Sequence, residues 1–173
     1  MLETNGLDIF DQIEIADAIC ITTNCSIYEF NGKKINPMGA LAGAAAKIWE
    51  NIPYIYAGLL LKSGAVPVIL GYIEKNNKNL IEYNKEYNNF ADISDKNKYT
   101  ALIAFPTMYE IGIAADLKLI ERGAGLLYEM ADRLNFNKVY LAAPGIGVGG
   151  LNYSVVSKVL EKYLDDRFTV MRK

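Results

Sequence analysis

The sequence predicts an α/β protein in which a mainly parallel or mixed β-sheet lies between helices. Short β-rich runs recur along the chain, and most are almost continuously apolar, as strands buried on both faces are. Between these runs lie segments whose apolar residues recur at helical spacing. Strands that alternate with helices predict this layered arrangement.

The five predicted strands are rich in β-branched and aromatic residues. In chain order they are residues 17–23 (DAICITT), 66–73 (VPVILGYI), 99–106 (YTALIAFP), 138–144 (KVYLAAP) and 168–172 (FTVMR). The predicted helices are the alanine-rich residues 39–50, residues 112–134 and residues 153–164. Residues 74–98 break the alternation because they are crowded with Asn and Lys and show little periodicity, so we predict a surface excursion there, as a hairpin or a flap.

The length and composition predict one domain over residues 1–173. The chain has 173 residues, 51% of them hydrophobic, which is enough for one core and too little for two comfortable ones. The first ten residues lack the basic start and apolar run of a signal peptide, and charged residues interrupt the richest apolar region, residues 37–73. We therefore expect a soluble, cytoplasmic protein that does not associate with membranes.

Charge and residue counts exclude several functions. A net charge of −2 argues against bulk electrostatic binding of nucleic acid. Histidine is absent, which excludes Ser/His/Asp and Cys/His catalysis. Without histidine or a CxxC pair we expect no zinc site, and no cofactor is predicted. Cys20 and Cys25 are separated by an odd number of residues along an extended segment, so their side chains are expected on opposite faces and not in a disulfide.

Three segments follow predicted strands and are candidates for a ligand site. They are residues 22–43, 105–112 and 144–153. In open α/β sheets, ligands bind at the carboxyl ends of strands, where loops lead into helix N-termini. We therefore expect these three segments to form one cleft.

The third of these segments contains four glycines within six residues. Gly145, Gly147, Gly149 and Gly150 would let successive N–H groups point inward as an anion-binding nest at a helix N-terminus. The GxGxGG pattern differs from the GxGxxG dinucleotide fingerprint and from a P-loop. A tight structural turn remains the alternative. Residues 38–46 likewise bring small side chains into a helix start, and tight packing on the sheet is the alternative there.

Taken in order, six stretches of the chain resemble macro domains. They are residues 8–11 (DIFD), 17–25 (DAICITTNC), 38–47 (MGALAGAAAK), 105–108 (FPTM), 116–123 (DLKLIERG) and 144–168. The likeness is greatest to the branch that contains the DNA ADP-ribosyl glycohydrolase antitoxins and phage-encoded macro-like proteins. It implies a three-layer α/β/α fold with a mixed sheet and an ADP-ribose cleft across the strand ends.

The resemblance also implies roles for individual residues. Asp8, followed by Ile9, would accept a hydrogen bond from the adenine amino group, although a cap or turn aspartate is the alternative. Asn24 would bind the distal ribose, with a local backbone hydrogen bond as the alternative. The diphosphate and distal ribose would be held by two loops, which contribute Gly39, Ala40, Leu41, Gly145, Ile146, Gly147, Val148 and Gly149, with Thr107 and Met108 beside them.

The chain departs from the family pattern at several positions. Leu41 replaces the second glycine of MGxG, Leu7 precedes the acidic residue where glycine is common, and residues 25–37 form a longer segment than usual. The glycohydrolase antitoxins carry FPTK where this chain has FPTM, so Met108 replaces a catalytic lysine. A thioether has no titratable nitrogen and can act neither as a base nor through an adduct.

These observations favour a binding module, with no catalytic residue assigned. The leading hypothesis is binding of ADP-ribose or a related NAD-derived nucleotide, used to sequester or sense a nucleotide signal, as in phage anti-defence. The alternative is a hydrolase acting on ADP-ribose 1''-phosphate or ADP-ribosylated substrates. A purely structural or protein-interaction domain is the third hypothesis, and it would leave the glycines at the strand ends without a shared purpose.

Overall fold

A computed structural model describes residues 1–82 and 95–172, and its centre is a seven-stranded mixed sheet. The strands of this sheet are β1 (Leu2–Asn5), β2 (Ala18–Asn24), β5 (Val68–Glu74), β6 (Leu80–Glu82), β7 (Tyr99–Met108), β8 (Val139–Ala142) and β9 (Phe168–Arg172). A separate two-stranded hairpin consists of β3 (Tyr28–Phe30) and β4 (Lys33–Ile35). All five strands predicted from the sequence are present, with ends that differ by at most two residues.

The order of strands across the large sheet is β1-β9-β8-β2-β7-β5-β6. The first five are mutually parallel, whereas β5 is antiparallel to β7 and β6 is antiparallel to β5. Because β8, β2 and β7 are parallel neighbours, their carboxyl ends lie along one edge of the sheet. The three loops singled out in the sequence begin at that edge.

Helices cover both faces of the sheet. They are α1 (Ala40–Ile48), α2 (Ile52–Ser63), α3 (Leu117–Arg133) and α4 (Tyr153–Leu160), with a 3₁₀ helix at Ile9–Gln12. Ala18 and Cys20 of β2 belong to the core formed with α3 and α4, whereas Ile19 and Ile21 belong to the core formed with α1 and α2. This alternation follows from the period of two along a strand and gives the predicted three-layer α/β/α fold.

Two helix boundaries differ from the sequence prediction. α3 begins at Leu117 rather than at residue 112, because the Asp116 side chain accepts hydrogen bonds from the N–H groups of Lys118 and Leu119 and caps the helix. Gly112, with φ of 85°, belongs to the preceding loop. α4 ends at Leu160 rather than at residue 164, and the apolar Leu164 is buried in the turns that follow.

Several elements have no counterpart in the sequence prediction, namely β1, β3, β4, β6, the 3₁₀ helix and α2. Within the predicted excursion at residues 74–98, the structure places β6 as an edge strand paired with β5. Residues 83–94 of that excursion, and residue 173, lie outside the described residues. The β3–β4 hairpin occupies most of the long segment 25–37, where an exposed ion pair joins Lys34 and Glu29.

In the described part of the chain, no helix combines the length and the apolar character that crossing a membrane requires. Residues 1–82 and 95–172 also contain no group of three side chains placed to hold a metal ion. Cys20 and Cys25 are both free thiols.

Candidate functional site

A cavity of about 560 Å³ opens at the carboxyl ends of β2, β7 and β8. Its walls come from these strand ends, from the start of α1, from the loop after β7 and from the glycine loop before α4. The lining residues are Thr22, Thr23, Asn24, Gly39, Ala40, Leu41, Thr107, Met108, Ile111, Gly112, Ala142, Ala143, Gly145, Ile146, Gly147, Val148, Gly149 and Met171. The three strand-end segments thus contribute to one cavity.

The structure brings most of the predicted ligand-binding residues together at this cavity. All of them from Asn24 to Gly149 line it, whereas Asp8 and Ile9 do not. Several lining residues were not singled out as ligand-binding, including Thr22, Ala142 and Met171. The strand-end rule would have identified Thr22 and Ala142, since each lies at the carboxyl end of a predicted strand.

Asp8 caps the 3₁₀ helix. Its side chain is exposed, and its Oδ1 accepts a hydrogen bond from the Phe10 N–H group at 2.9 Å. This is the capping role that the sequence left open. Within the described residues, no hydrogen bond reaches its second carboxylate oxygen. Gly6 donates to the carbonyl of Arg172, so the segment leading to Asp8 passes the end of β9 beside the cavity-lining Met171, while Ile9 is buried in the core.

The glycines of the loop at residues 145–150 serve different purposes. A β-carbon on Gly149 would lie 2.6 Å from the Ala115 Cβ, and one on Gly145 would lie 2.9 Å from the same atom. Gly145 also has a φ of 73°, as Gly150 has a φ of 72°. Gly147 has neither constraint: its φ is not positive and a β-carbon there would meet nothing within 4 Å. The fold therefore requires glycine at three of these positions but not at Gly147.

Two sets of backbone N–H groups at the cavity have no acceptor in the described part of the chain. One set belongs to residues 146–149, and the other to the first turn of α1, residues 40–42. Helix α1 has no capping side chain, because its N-cap residue is Gly39. Unpaired N–H groups at a helix N-terminus carry partial positive charge and attract anions. The two sets therefore provide unpaired N–H donors in segments that line the cavity, and the cavity lining contains no Lys or Arg side chain.

Asn24 is 5% exposed, and its side chain is largely occupied by local hydrogen bonds. Its Oδ1 accepts from the Ser26 N–H group at 2.9 Å and from the Asn36 side-chain amide at 3.2 Å. Its Nδ2 donates one hydrogen to the Pro37 carbonyl at 3.0 Å. One N–H of the amide remains for a ligand, so Asn24 can donate to a ligand but has no lone pair left to accept from one.

Asn36 holds Asn24 in this orientation. It is 1% exposed, and the two hydrogens of its Nδ2 are donated to three acceptors, the backbone carbonyls of Asn24 and Ser26 and the Asn24 Oδ1, so that one hydrogen is shared. Its own Oδ1 is buried without a hydrogen-bond partner in the described residues. The segment 25–37 thus fixes one end of the cavity through two amide side chains that lie twelve residues apart.

Among the described residues, none of those lining the cavity has an ionisable side chain. Met108 lies opposite Asn24 in the β2–β7 pairing, at the point where the register shifts by one residue. Beside this strand pair the cavity surface therefore combines the amide of Asn24 with the thioether of Met108. Within this lining, the groups that can bind a charged ligand are backbone amides, threonine hydroxyls and Asn24.

Ala40, the first residue of α1, has a φ of 47° in the left-handed region. This conformation costs an alanine about 1 kcal/mol more than a glycine. We expect Ala40→Gly to raise the free energy of unfolding by about 0.5–1 kcal/mol. Ala44 is also exposed, but it lies in the middle of the α1 segment. Ala44→Gly is therefore expected to lower the free energy of unfolding by about 1 kcal/mol. Urea unfolding of both variants measures these shifts, and equal signs would contradict the assignment of strain to Ala40.

Cys25 is partly buried beside the cavity end but does not line it. Burial raises the pKa of its thiol from 9.0 to about 11, and a hydrogen bond with Tyr56 lowers this pKa by a smaller amount. Tyr56 is itself buried and accepts a hydrogen bond from the Thr23 hydroxyl at 2.9 Å. Cys25 is therefore a neutral thiol in a small polar network and not an activated nucleophile.

The raised pKa predicts slow alkylation of Cys25. At pH 8 the thiolate fraction of Cys25 is about 100-fold lower than that of a thiol with a pKa of 9.0. Iodoacetamide is therefore expected to label Cys25 more slowly by about that factor. The folded state also binds the thiol proton more tightly than the unfolded state does. The resulting contribution to the free energy of unfolding is fully present below pH 9 and is lost as the pH rises to about 11. Mass spectrometry of labelled peptides measures the rate, with urea-unfolded protein as control. Equal rates in the folded and unfolded protein would contradict this assignment.

Solved structures that are similar to this chain support the fold described above. No protein-family model matches the chain, and no curated protein sequence does. Among solved structures, the chain is similar to the macrodomain of Mycobacterium tuberculosis DarG, with a TM-score of 0.63 and 17% identity over 99% of this chain and 97% of that one. It is also similar to the macrodomain of Thermus aquaticus DarG, with a TM-score of 0.61 and 15% identity over 99% of this chain and 95% of that one.

A third similar structure is Thermosipho africanus DarTG in complex with ADP-ribose. Its TM-score is 0.65 at 16% identity, and the match covers 99% of this chain but 42% of that longer one. All three matches extend over nearly the whole chain, so the likeness involves the complete arrangement of sheet and helices. The protein therefore has the macro-domain fold, in the form that the DarG macrodomains also adopt.

Proposed function

We propose that the protein binds ADP-ribose or a related NAD-derived nucleotide in the strand-end cavity. The observation that carries this proposal is Gly147, which lines the cavity although neither its φ nor its neighbours require glycine. A glycine without a structural reason, between N–H groups that have no acceptor, is explained by a ligand that approaches the main chain closely. The similar Thermosipho africanus DarTG is itself in complex with ADP-ribose.

In this proposal the diphosphate lies between the glycine loop and the start of α1. The N–H groups of residues 146–149 and 40–42 lack acceptors in the described residues and would bind its oxygens from two sides. Such binding uses helix and nest dipoles, so it needs no cationic side chain. This agrees with a protein whose net charge is −2 and whose cavity is lined by uncharged side chains.

The adenine would lie on the β9 side, next to Asp8. The Asp8 carboxylate is exposed, and the oxygen that does not cap the 3₁₀ helix could accept from the adenine amino group. The distal ribose would lie at the opposite end, where Asn24 retains one N–H to donate. This placement assigns Asp8, Asn24 and the two sets of backbone N–H groups to separate parts of the nucleotide.

We further propose that the protein holds its nucleotide without transforming it, and so sequesters or senses a signal made from NAD in the cytoplasm. Met108 at the cavity offers no acid, base or nucleophile, and Cys25 is a neutral thiol outside the lining. A phage protein that counters host defence is one setting in which such sequestration would be useful. The competing hypothesis is hydrolysis of ADP-ribose 1''-phosphate or of ADP-ribosylated DNA.

Calorimetric titration with ADP-ribose tests the binding proposal. We expect a saturable heat signal and an increase in Tm, because a ligand that binds the folded state stabilises it. The matched control ligand is the hypoxanthine counterpart, inosine diphosphate ribose, which lacks the adenine amino group. Weaker binding of this control would support the role of Asp8. The absence of both heat and thermal stabilisation with ADP-ribose would refute the proposal.

Product analysis separates binding from catalysis. The protein is incubated with ADP-ribose 1''-phosphate and with ADP-ribosylated DNA, and released phosphate or ADP-ribose is measured. We expect no turnover above the buffer control. Turnover that disappears in Asn24→Ala would show a hydrolase and would overturn the non-catalytic assignment.

A further inference from the structure

Two asparagines of this chain are followed directly by glycine. They are Asn5, at the end of β1, and Asn31, in the turn between β3 and β4. Asparagine is chemically labile, and a following glycine leaves the next backbone nitrogen free to approach the side-chain amide carbon, because glycine has no β-carbon in the way. Both dipeptides are exposed to water. The chain therefore has two candidate sites for deamidation that share the same dipeptide.

The Asn5–Gly6 dipeptide is held at the edge of the large sheet. The Asn5 Oδ1 accepts a hydrogen bond from the Arg172 Nε at 2.9 Å, and the Gly6 N–H group donates to the Arg172 carbonyl at 3.1 Å. Asn5 is also paired with Arg172 in the parallel ladder of β1 and β9. Both reacting groups, the side-chain amide and the backbone nitrogen, are thus engaged. Attack of one on the other requires this edge of the sheet to open first.

The Asn31–Gly32 dipeptide has no comparable restraint. Within residues 1–82 and 95–172, no hydrogen bond reaches the Asn31 side chain or the Gly32 N–H group. The hairpin that carries the dipeptide has three residue pairs, and all of β3 and most of β4 are exposed. A short two-stranded hairpin has little stability of its own, so its tip opens at a small cost in free energy.

We infer that Asn31 is a self-modification site, at which the folded protein deamidates in preference to Asn5. The Gly32 nitrogen attacks the Asn31 Cγ, and the new C–N bond closes a succinimide ring. The side-chain nitrogen leaves as ammonia and takes the proton that the Gly32 nitrogen gives up. One water molecule then opens the ring. Cleavage of the bond between Cγ and nitrogen gives aspartate, and cleavage at the backbone carbonyl gives isoaspartate.

The two products have different effects on the hairpin. Aspartate before glycine fits the same tight turn, whereas isoaspartate adds one carbon atom to the main chain of a two-residue connection. The longer connection disrupts the pairing of Tyr28 with Ile35, and Ile35 precedes Asn36, which orients Asn24 at the cavity. Isoaspartate in this turn is therefore expected to weaken ligand binding. This consequence, unlike the modification itself, rests on the proposed function.

Peptide mapping by mass spectrometry tests the modification. The protein is incubated in mildly alkaline buffer with and without urea, and deamidation is followed at both dipeptides, with isoaspartate separated from aspartate. We expect similar rates at Asn5 and Asn31 in urea. In the folded protein we expect a rate at Asn31 at least about 10-fold higher than at Asn5, because Asn5 reacts only when the sheet edge opens. Equal rates in the folded protein, or a faster reaction at Asn5, would overturn the inference whether or not ADP-ribose binds.

Two variants test the effect on the cavity. Asn31→Gly cannot deamidate and keeps a dipeptide that fits the turn, and Asn31→Asp carries the charge of the aspartate product on an unaltered main chain. We expect both, freshly prepared, to bind ADP-ribose as the wild type does. After incubation, the wild type should lose binding sites in proportion to its isoaspartate content, and Asn31→Gly should keep them. Equal losses in the two proteins would refute the link to the cavity. If fresh wild type did not bind ADP-ribose, the proposed function would be wrong, and the rates at Asn31 and Asn5 would still decide the modification.

Discussion

Replacing Gly149 by alanine is expected to lower the free energy of unfolding by about 2–3 kcal/mol. The added β-carbon would lie 2.6 Å from the Ala115 Cβ and 2.7 Å from the Gly145 carbonyl oxygen, far inside normal contact distances. The loop has little freedom to move away, because Ala115 donates to the Gly149 carbonyl at 3.0 Å and Leu151 donates to the Gly145 carbonyl at 2.9 Å. Urea unfolding followed by circular dichroism measures the change.

Gly58→Ala is the matched control for this prediction. Gly58 lies inside α2, and a β-carbon there would meet nothing within 4 Å, so the same substitution should raise stability by up to about 1 kcal/mol through helix propensity. Stability changes of opposite sign for Gly149→Ala and Gly58→Ala would show that the loss at Gly149 comes from its close neighbours and not from replacing glycine by alanine as such. If Gly149→Ala lowered the free energy of unfolding by no more than Gly58→Ala changes it, the steric explanation would be contradicted.

A double substitution tests whether Ala115 is the neighbour that matters. Ala115→Gly removes the atom that the new β-carbon would approach most closely, so Gly149→Ala should cost less in that background than in the wild type. The recovery is expected to be partial, because the clash with the Gly145 carbonyl oxygen remains. Strict additivity of the two substitutions would place the strain elsewhere.

The predicted strands could be read from the sequence because central strands of a covered sheet are apolar on both sides. β2 and β7 are buried along almost their whole length, so each contains a continuous apolar run, and the polar residues of β2 follow that run at the carboxyl end of the strand. The edge strands β1 and β6 are short and partly exposed, and their composition carries no comparable signal. Helix α2 was not predicted because apolar residues occupy both its buried side, as at Tyr56, and its exposed side, as at Leu61.

The β3–β4 hairpin had a signal that the sequence prediction did not use. Asn31 and Gly32 have φ of 49° and 73°, and Asn-Gly between two short strands is the preferred dipeptide of a tight hairpin turn. This dipeptide stands at the centre of segment 25–37, which is longer than the family pattern has there. The hairpin matters for the site because it is followed by Asn36, which orients Asn24.

The position of the candidate site could be predicted, but the state of its groups could not. Strand-end segments meet in any parallel sheet, so the location follows from the order of elements alone. The saturation of the Asn24 Oδ1 depends on Asn36, twelve residues away, and the packing of Gly149 depends on Ala115, thirty-four residues away. Such contacts depend on tertiary structure and leave no periodic pattern. The same is true of the difference between Gly147 and its neighbouring glycines.

Asn and Asp substitutions at Gly147 distinguish the effect of side-chain size on ligand binding from the effect of negative charge. Gly147→Asn is expected to weaken ADP-ribose binding about 10-fold, because a side chain would occupy space that the diphosphate needs. Gly147→Asp has nearly the same shape but adds a negative charge, and a further loss of about 10-fold is expected. Both variants should keep the wild-type free energy of unfolding within about 0.5 kcal/mol, since a side chain there has open space and the φ is not positive.

Salt concentration provides the decisive readout for this pair. The difference between Asp and Asn at position 147 arises from repulsion between charges, so it should shrink when calorimetry is repeated at about 1 M salt, where screening is strong. The loss common to both variants is steric and should persist. If both variants bound equally at every salt concentration, no anionic group could lie beside Gly147, and the diphosphate would have to occupy another part of the cavity. If neither variant weakened binding, the free N–H groups of residues 146–149 could not be the anion site, because any side chain at Gly147 shares their loop.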